Sequence, residues 1–416
     1  MASSNIYLAR KINKSEFDFN KEKVYKIDTE INKQITKTKI NSLFNFSEIS
    51  NIKISQNELE KYLSLSYTYI PKEITLENLK ESIDNKFKYF CIKEMPLEVL
   101  MSKYNKKKIN IILDIDQTLI FSKDEMHIDP KMKNELIKDS NPIIVPNETQ
   151  KDNPYRLLFD YRPKLKEFLE GLSKFCNFYV CTLAKENYAK MIIYRIKNEF
   201  GIEIPDENIV ATVNIKGFEL FNGIETKNTI IFDDNANVWI KELKHLIVSK
   251  KFVSFLEKDY KFDFVVEDYK IINYNSRPDF LFTNETKSNN KFQLDYVLNF
   301  IEMAYKFSII FQNDIVNSIG YMRKRIFNKV KLNIQYYSQN ENYILINGIV
   351  KFLGGIMETD INQSTHFLLS EQNNLKKERL NLNNEVYFVN EQWIFDSYLF
   401  LQKMDENERE YKMKIN

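Results

Sequence analysis

"INIILDIDQTLIFS", Ile109 to Ser122, opens with a continuous apolar run of strand length and ends in two aspartates and a hydroxyl. Continuous rather than alternating apolarity is the pattern of a parallel strand covered on both faces. In an extended chain residues i and i+2 share a face, so Asp114 and Asp116 are expected to point the same way. Two like charges where a buried strand runs out can be read as a metal site, as a nucleophile with its acid, or as the start of a polar loop.

The same arrangement recurs downstream. After a polar, proline-punctuated stretch from Lys123 to Pro154, "YRPKLKEFLEGLSKF" sets Leu165, Phe168, Leu169, Leu172 and Phe175 on one helical face, with Pro163 suited to the first turn. "FYVCT" is a second buried strand, ending at Thr182, and "KENYAKMIIYRIKNEFG" a helix whose stop signal is Gly201. "NTIIFDDN" is a third strand, again ending in carboxylates, Asp233 and Asp234. This alternation predicts an α/β fold, a Rossmann-like parallel sheet that binds ligands beyond the carboxyl ends of its strands. Asp114, Asp116, Thr182, Asp233 and Asp234 all fall at those ends.

The chain has 416 residues, which suggests two or three domains, and its 43% hydrophobic residues are enough for real cores. Charged residues reach 28%, yet the formal net charge is only +2, which gives no electrostatic reason to expect nucleic acid or a membrane as partner. Cys91, Cys176 and Cys181 have no paired spacing, so neither a disulfide framework nor a zinc site is expected, and a reducing compartment is. The start meets charge before any apolar stretch, and no apolar run approaches the roughly 18 residues of a membrane span, so a soluble intracellular protein is expected. Residues 1–96 are Lys/Glu/Asn-rich and suggest no fold; 97–284 hold the strand–helix alternation, and 285–324 read as a helical linker. Residues 325–405 alternate strand and helix in a second, smaller α/β unit, and 406–416 read as a polar, frayed tail.

Asp-x-Asp-x-Thr after an apolar strand resembles the first motif of the haloacid dehalogenase superfamily. "LDIDQTLIFS", "YRPKLKEFL", "YVCTLAKENYA" and "IIFDDNANVW … LIVSKKFVSF" together resemble the RNA polymerase II C-terminal-domain phosphatase of the TFIIF-associating type. "FLGGIME", "STHFLLS" and "EQWIFDS" resemble a BRCT domain, through the glycine pair, the Thr-His before a strand, and Trp393 with Ser397 four positions on. A catalytic domain followed by a BRCT domain is the layout of that phosphatase.

The resemblance implies a magnesium-dependent protein serine phosphatase working through an aspartyl-phosphate. Asp114 is then the nucleophile, and Asp116 the acid that protonates the leaving serine oxygen and later deprotonates water. Mg2+ is implied on Asp114, the backbone carbonyl of Asp116 and Asp234, with Asp233 ordering a bound water or a basic partner. Thr182 is implied as a phosphate ligand; its bland reading is a strand-end hydroxyl capping the next helix. Lys216, 233 − 216 = 17 residues before the paired aspartates, is the expected phosphate-binding cation, with Lys227 as the solvated competitor. The implied substrate is the phosphorylated heptad-repeat tail of RNA polymerase II, in the nucleus, with a general transcription factor as a further partner. "MDENEREYKMKIN" is not the acidic tail that longer members use for that recruitment.

Other residues read as structural. Arg162 is expected to begin a helix, with an approach to substrate phosphate as the alternative; Cys181 is expected in the core. His127, His245 and His366 form no triad, and Trp393 is a core anchor. Ser338, Gly355 and Lys376 or Lys377 are the residues a phosphopeptide-binding BRCT domain would use, though a bracing role for the domain is the stronger expectation. Two rival readings stand beside the first: a phosphatase of the same fold acting on other phosphoproteins or metabolites, and a catalytically silent BRCT scaffold.

Overall fold

Strand β1, Ile109–Leu113, has every side chain buried, the polar Asn110 among four aliphatic residues included, and occupies the middle of a parallel sheet. β5 (Cys176–Thr182) pairs along one side of it, with Leu113 opposite Val180; β7 (Thr229–Asp233) pairs along the other, with Leu113 opposite Phe232. β6 (Ile209–Ala211) extends the sheet beyond β5 and β8 (Leu246–Val248) beyond β7, giving the order β6-β5-β1-β7-β8. The order reverses around β1, and this register sets the residues that follow β1, β5 and β7 at one edge of the sheet. The computed structural model describes residues 96–124, 143–145, 155–252, 261–275, 292–335, 342–369 and 386–413. The N-terminal region, Cys91, His127, Ser338, Lys376 and Lys377 lie outside the described residues.

Helix α1, Leu165–Ser173, buries Leu165, Phe168, Leu169 and Leu172. It starts two residues later than the proline suggested: Lys164 is the N-cap, at φ 70°, so Pro163 stands ahead of the helix and Phe175 packs from beyond its end. Helix α2, Glu186–Phe200, stops at Gly201, whose φ of 72° suits a residue without Cβ. The stretch from Lys123 to Pro154 is not wholly irregular. β2 (Ile120–Asp124), β3 (Ile143–Val145) and β4 (Tyr155–Tyr161) form a small antiparallel sheet in the order β2-β4-β3.

A second surprise is the hairpin β9 (Lys261–Val266) and β10 (Lys270–Asn275), paired antiparallel. Helices α3 (Gln293–Phe311) and α4 (Ile315–Ile326) follow, α3 lying against α1. The smaller unit is a four-stranded parallel sheet in the order β12-β11-β13-β14, with β11 at Lys331–Asn333, β12 at Ile356–Met357, β13 at His366–Leu368 and β14 at Tyr387–Val389. Its helices are α5 (Tyr343–Phe352) and α6 (Glu391–Leu399).

The hairpin carries this unit. A Cβ on Gly348 of α5 would lie 2.8 Å from Val266 Cβ, so the helix approaches β9 as closely as a glycine permits. Phe264 packs on Phe395 and Tyr398 of α6, and the Tyr398 hydroxyl accepts from Val265 N–H at 3.0 Å. One apolar core therefore runs from Ile112 and Trp239 through Phe264 to Leu345 and Trp393. The end expected to fray is packed instead. Tyr411 is fully buried and donates to Asp396, Trp393 Nε1 donates to Met404 O, and Met413 N–H reaches Phe388 O. Its charged residues hid an anchor, Tyr411. No helix of the described residues is long and apolar enough to cross a membrane.

Candidate active site

Asp114 is the first residue past β1, and its N–H donates to Phe232 O at 3.1 Å, which continues the ladder by one step. Beyond it the chain turns sharply: Gln117 sits at φ 62°, and Leu119 and Ile120 N–H both return to Ile115 O. The aspartates therefore leave the strand before the alternation that was expected to align them. Asp114 faces the sheet edge, and Asp116 lies beside α2.

Lys216 comes to this edge from the loop after β6, with its own N–H held by Val238 O at 2.8 Å. It is only 2% exposed, and Nζ lies 2.6 Å from Asp114 Oδ1 and 2.7 Å from Asp233 Oδ2. Asp233 is held on three sides, Oδ2 accepting also from Trp239 Nε1 at 2.8 Å and Oδ1 from Asn235 N–H at 2.8 Å. The basic partner expected for Asp233 is thus Lys216. Asp234 Oδ1 accepts from the Thr118 hydroxyl at 3.0 Å, and Oδ2 lies 3.5 Å from Lys251 Nζ. Lys227 is exposed, as expected of the competitor.

Carboxylate oxygens of Asp114, Asp233 and Asp234 all lie within 4.8 Å of one another, and all three residues are buried. This crowding acts on their protonation. Burial first, then the charge of Asp233, holds the Asp114 carboxyl well above the ordinary carboxylate range, with Lys216 opposing. Burial and Asp233 lift Asp234 to about 6. Burial pulls Lys216 the other way, but the two carboxylates it bridges outweigh burial and raise it, so it stays a cation. An all-oxygen set with this excess of negative charge suits a small hard cation.

Asp116 lies outside that cluster. Its Oδ1 accepts from the Tyr188 hydroxyl at 2.6 Å and from the Ser122 hydroxyl at 2.9 Å. Burial raises its pKa and the two hydroxyls partly offset that, an environment that favours the neutral acid more than water does. Thr182 ends β5 and is 1% exposed; its Oγ1 accepts from Ala184 N–H at 3.1 Å. The cap is thus a turn rather than the helix start, which comes at Glu186.

Arg162 stands ahead of helix α1 rather than beginning it. It is 1% exposed, and its guanidinium donates to Thr118 O at 3.0 Å, Ser249 Oγ at 2.6 Å and Gln293 Oε1 at 2.9 Å. Cys181 is core, and burial pushes its thiol up to about 12, which removes it as a nucleophile. His245 is buried against Thr229 O, and His366 pairs with Glu406 at 2.9 Å between the rings of Tyr387 and Trp393. In the smaller unit Gly355 N–H donates to Val350 O at 2.8 Å.

Sequence reading missed Tyr188, Ser122, Trp239, Lys251 and Gln293. Tyr188 sits in the apolar stripe of α2 with Ala189, Ile192, Ile193 and Ile196 and reads as core. Its signal was a hydroxyl on the first turn of a helix that starts at the reactive edge.

Residues 109–273 match the family model of the NLI interacting factor-like phosphatases, and residues 323–398 match the BRCA1 C Terminus (BRCT) domain. Among solved structures the chain is similar to fission yeast RNA polymerase II CTD phosphatase Fcp1, in a variant bound to beryllium fluoride. The identity is 14% and the TM-score 0.49, over 76% of this chain and 99% of that one. A second structure is described as Fcp1, an essential RNA polymerase II CTD phosphatase, at 14% identity and TM-score 0.48 over 74% of this chain and 97% of that one.

Proposed function

We propose that this chain, an aspartate-nucleophile protein phosphatase with an NLI interacting factor-like catalytic domain and a BRCT domain behind it, removes phosphate from serines of the RNA polymerase II heptad-repeat tail. The observation that carries the chemistry is Lys216, buried and bridging Asp114 and Asp233 at the sheet edge. Phosphate-monoester hydrolysis asks the protein mainly for positioning and charge compensation. With Asp114 Oδ1 held by Lys216, Oδ2 attacks phosphorus, and the bond from phosphorus to the serine oxygen breaks. Asp116 gives its proton to that oxygen. A water then attacks the aspartyl-phosphate, Asp116 takes the water's proton, and Asp114 leaves as a carboxylate with inorganic phosphate. Thr182 and Lys216 hold the phosphoryl oxygens throughout.

Mg2+ is the proposed cofactor. Asp114, Asp234 and the Asp116 carbonyl are the residues that would hold it, and when bound it screens the carboxylates from the phosphoryl oxygens. The substrate and the nuclear site of action rest on the sequence motifs and on the order of the two domains. The complete set of Asp114, Asp116, Thr182, Lys216 and the Asp233–Asp234 pair argues against a silent scaffold.

The test compares Mg2+-dependent phosphate release from a phosphoserine heptad peptide, a scrambled phosphoserine peptide and a generic aryl phosphate. Preference for the heptad peptide is expected, and Lys216→Ala is expected to lower all three rates by at least about 10²–10³-fold. Hydrolysis of the aryl phosphate with no preference for the heptad would move the substrate to other phosphoproteins. Normal turnover by Lys216→Ala would remove that residue from the chemistry.

A further inference from the structure

Gln293, the first residue of α3, is fully buried and touches both halves of the molecule. Its Oε1 accepts from Arg162 at 2.9 Å and from the Lys250 N–H at 2.8 Å. Its Nε2 donates at 2.6 Å to Leu399 O, the last carbonyl of helix α6 in the BRCT domain. The partners fix the orientation of the amide, since two donors face its oxygen and a carbonyl faces its nitrogen.

The Arg162 side leads to the carboxylates. Arg162 also donates to Thr118 O and Ser249 Oγ, and the Thr118 hydroxyl donates to Asp234 Oδ1. The Lys250 side leads to the same place. Lys250 belongs to the loop after β8, in which Ser249 N–H donates to Asp233 O at 2.8 Å and Phe252 N–H to Gln117 O at 2.7 Å. The next residue, Lys251, places its Nζ 3.5 Å from Asp234 Oδ2. Arg323 of α4, which packs over Phe352 of the BRCT domain, ties the start of β8 through Leu246 O.

We propose that Gln293 is a positioning residue that makes the end of BRCT helix α6 part of the active-site frame. Through Arg162 and the loop after β8, it holds Thr118 and Lys251 against Asp234. The proposal rests on the phosphatase reading of the site and adds a reason for the BRCT domain to follow the catalytic domain in this chain. A planar amide suits this position because it offers an acceptor to the catalytic side and a donor to the BRCT side. Groups that orient metal-site carboxylates typically change metal affinity or activity by about 10–100-fold when removed.

The experiment uses the full chain and two readouts, Mg2+ affinity by calorimetry without substrate, and kcat with KM on an aryl phosphate. Gln293→Leu is expected to weaken Mg2+ binding by about 10-fold and to lower kcat with KM little changed. Gln293→Glu keeps the two acceptor contacts but sets an oxygen against the Leu399 carbonyl; it is expected to fold and to be impaired several-fold in both readouts. Val350→Ala, a cavity variant in the BRCT core, is expected to lower Tm while leaving Mg2+ affinity and kcat as in the parent. Parental Mg2+ affinity and kcat in a folded Gln293→Leu overturn the proposal. If that variant fails to fold, Gln293→Glu decides, and parental behaviour there removes the tie to the BRCT domain. A parent that binds no Mg2+ overturns the reading of the site itself, and this proposal with it.

Discussion

At the scale of the residue, Tyr188 and Asp234 show how the site sets its own protonation. The Tyr188 hydroxyl donates to Asp116 and so favours the carboxylate, against the burial that raises the pKa. Tyr188→Phe removes that donor, and the Asp116 pKa must rise further. With Asp116 as the proposed general acid, the alkaline limb of the kcat profile, where that carboxyl loses its proton, is therefore expected to move to higher pH. The accompanying fall in kcat should be smaller than the roughly 10²–10⁴-fold that loss of a general acid produces. An unmoved alkaline limb would mean that another group carries the proton. Asp234 works in the opposite sense on stability. Its folded pKa of about 6 lies above the ordinary 3.8, so its contribution to stability is full below the lower value and lost as pH rises through the higher one. Without divalent cation, Asp234→Asn should therefore melt above the parent at about pH 7, by an amount corresponding to a few kcal/mol at most. It should also gain less from added Mg2+; equal melting in chelator would show that Asp234 is not strained. The carboxylates were legible in the sequence because their spacing after apolar strands is a local pattern. Tyr188 and Gln293 were not, because their chemistry comes from partners 72 and 106 positions away.

At the scale of the element, the contrast between two helical glycines tests the docking of the BRCT domain. A Cβ on Gly348 would stand 2.8 Å from Val266 Cβ, whereas one on Gly320 in α4 would meet only the Tyr269 hydroxyl, at 3.9 Å. Gly348→Ala is expected to lose about 1–3 kcal/mol to overpacking, and Gly320→Ala to gain up to about 1 kcal/mol from helix propensity. Chemical denaturation of the two variants measures both; a stable Gly348→Ala would mean that α5 does not rest on β9. Strands β1, β5 and β7 could be read in advance because each centres on a short apolar run, whereas β6 and β8, three residues each, are too short to carry a pattern. The β2–β4–β3 sheet and the β9–β10 hairpin escaped because "YRLLFDY" and "KFDFVVEDYKIINYN" mix charged and aromatic residues, which weakens the period and turn signals. The tail after α6 escaped for a related reason, since its buried anchor, Tyr411, sits among polar neighbours.

At the scale of the whole molecule, the catalytic sheet, the hairpin and the BRCT sheet share one apolar core, and the buried amide of Gln293 spans them. The order of two α/β units was legible from motifs, but their mutual packing was not, because no local pattern encodes a contact between distant segments. The central claim remains chemical: Asp114 becomes phosphorylated during turnover. Rapid quenching of the enzyme with a phosphoserine peptide and Mg2+, followed by borohydride reduction and peptide mass analysis, tests it most directly. The acyl phosphate should be captured as homoserine at position 114, and the product should be absent without peptide. Steady dephosphorylation with no reduction at Asp114, in samples where a control acyl phosphate is captured, would contradict the account and leave direct attack by water as the mechanism.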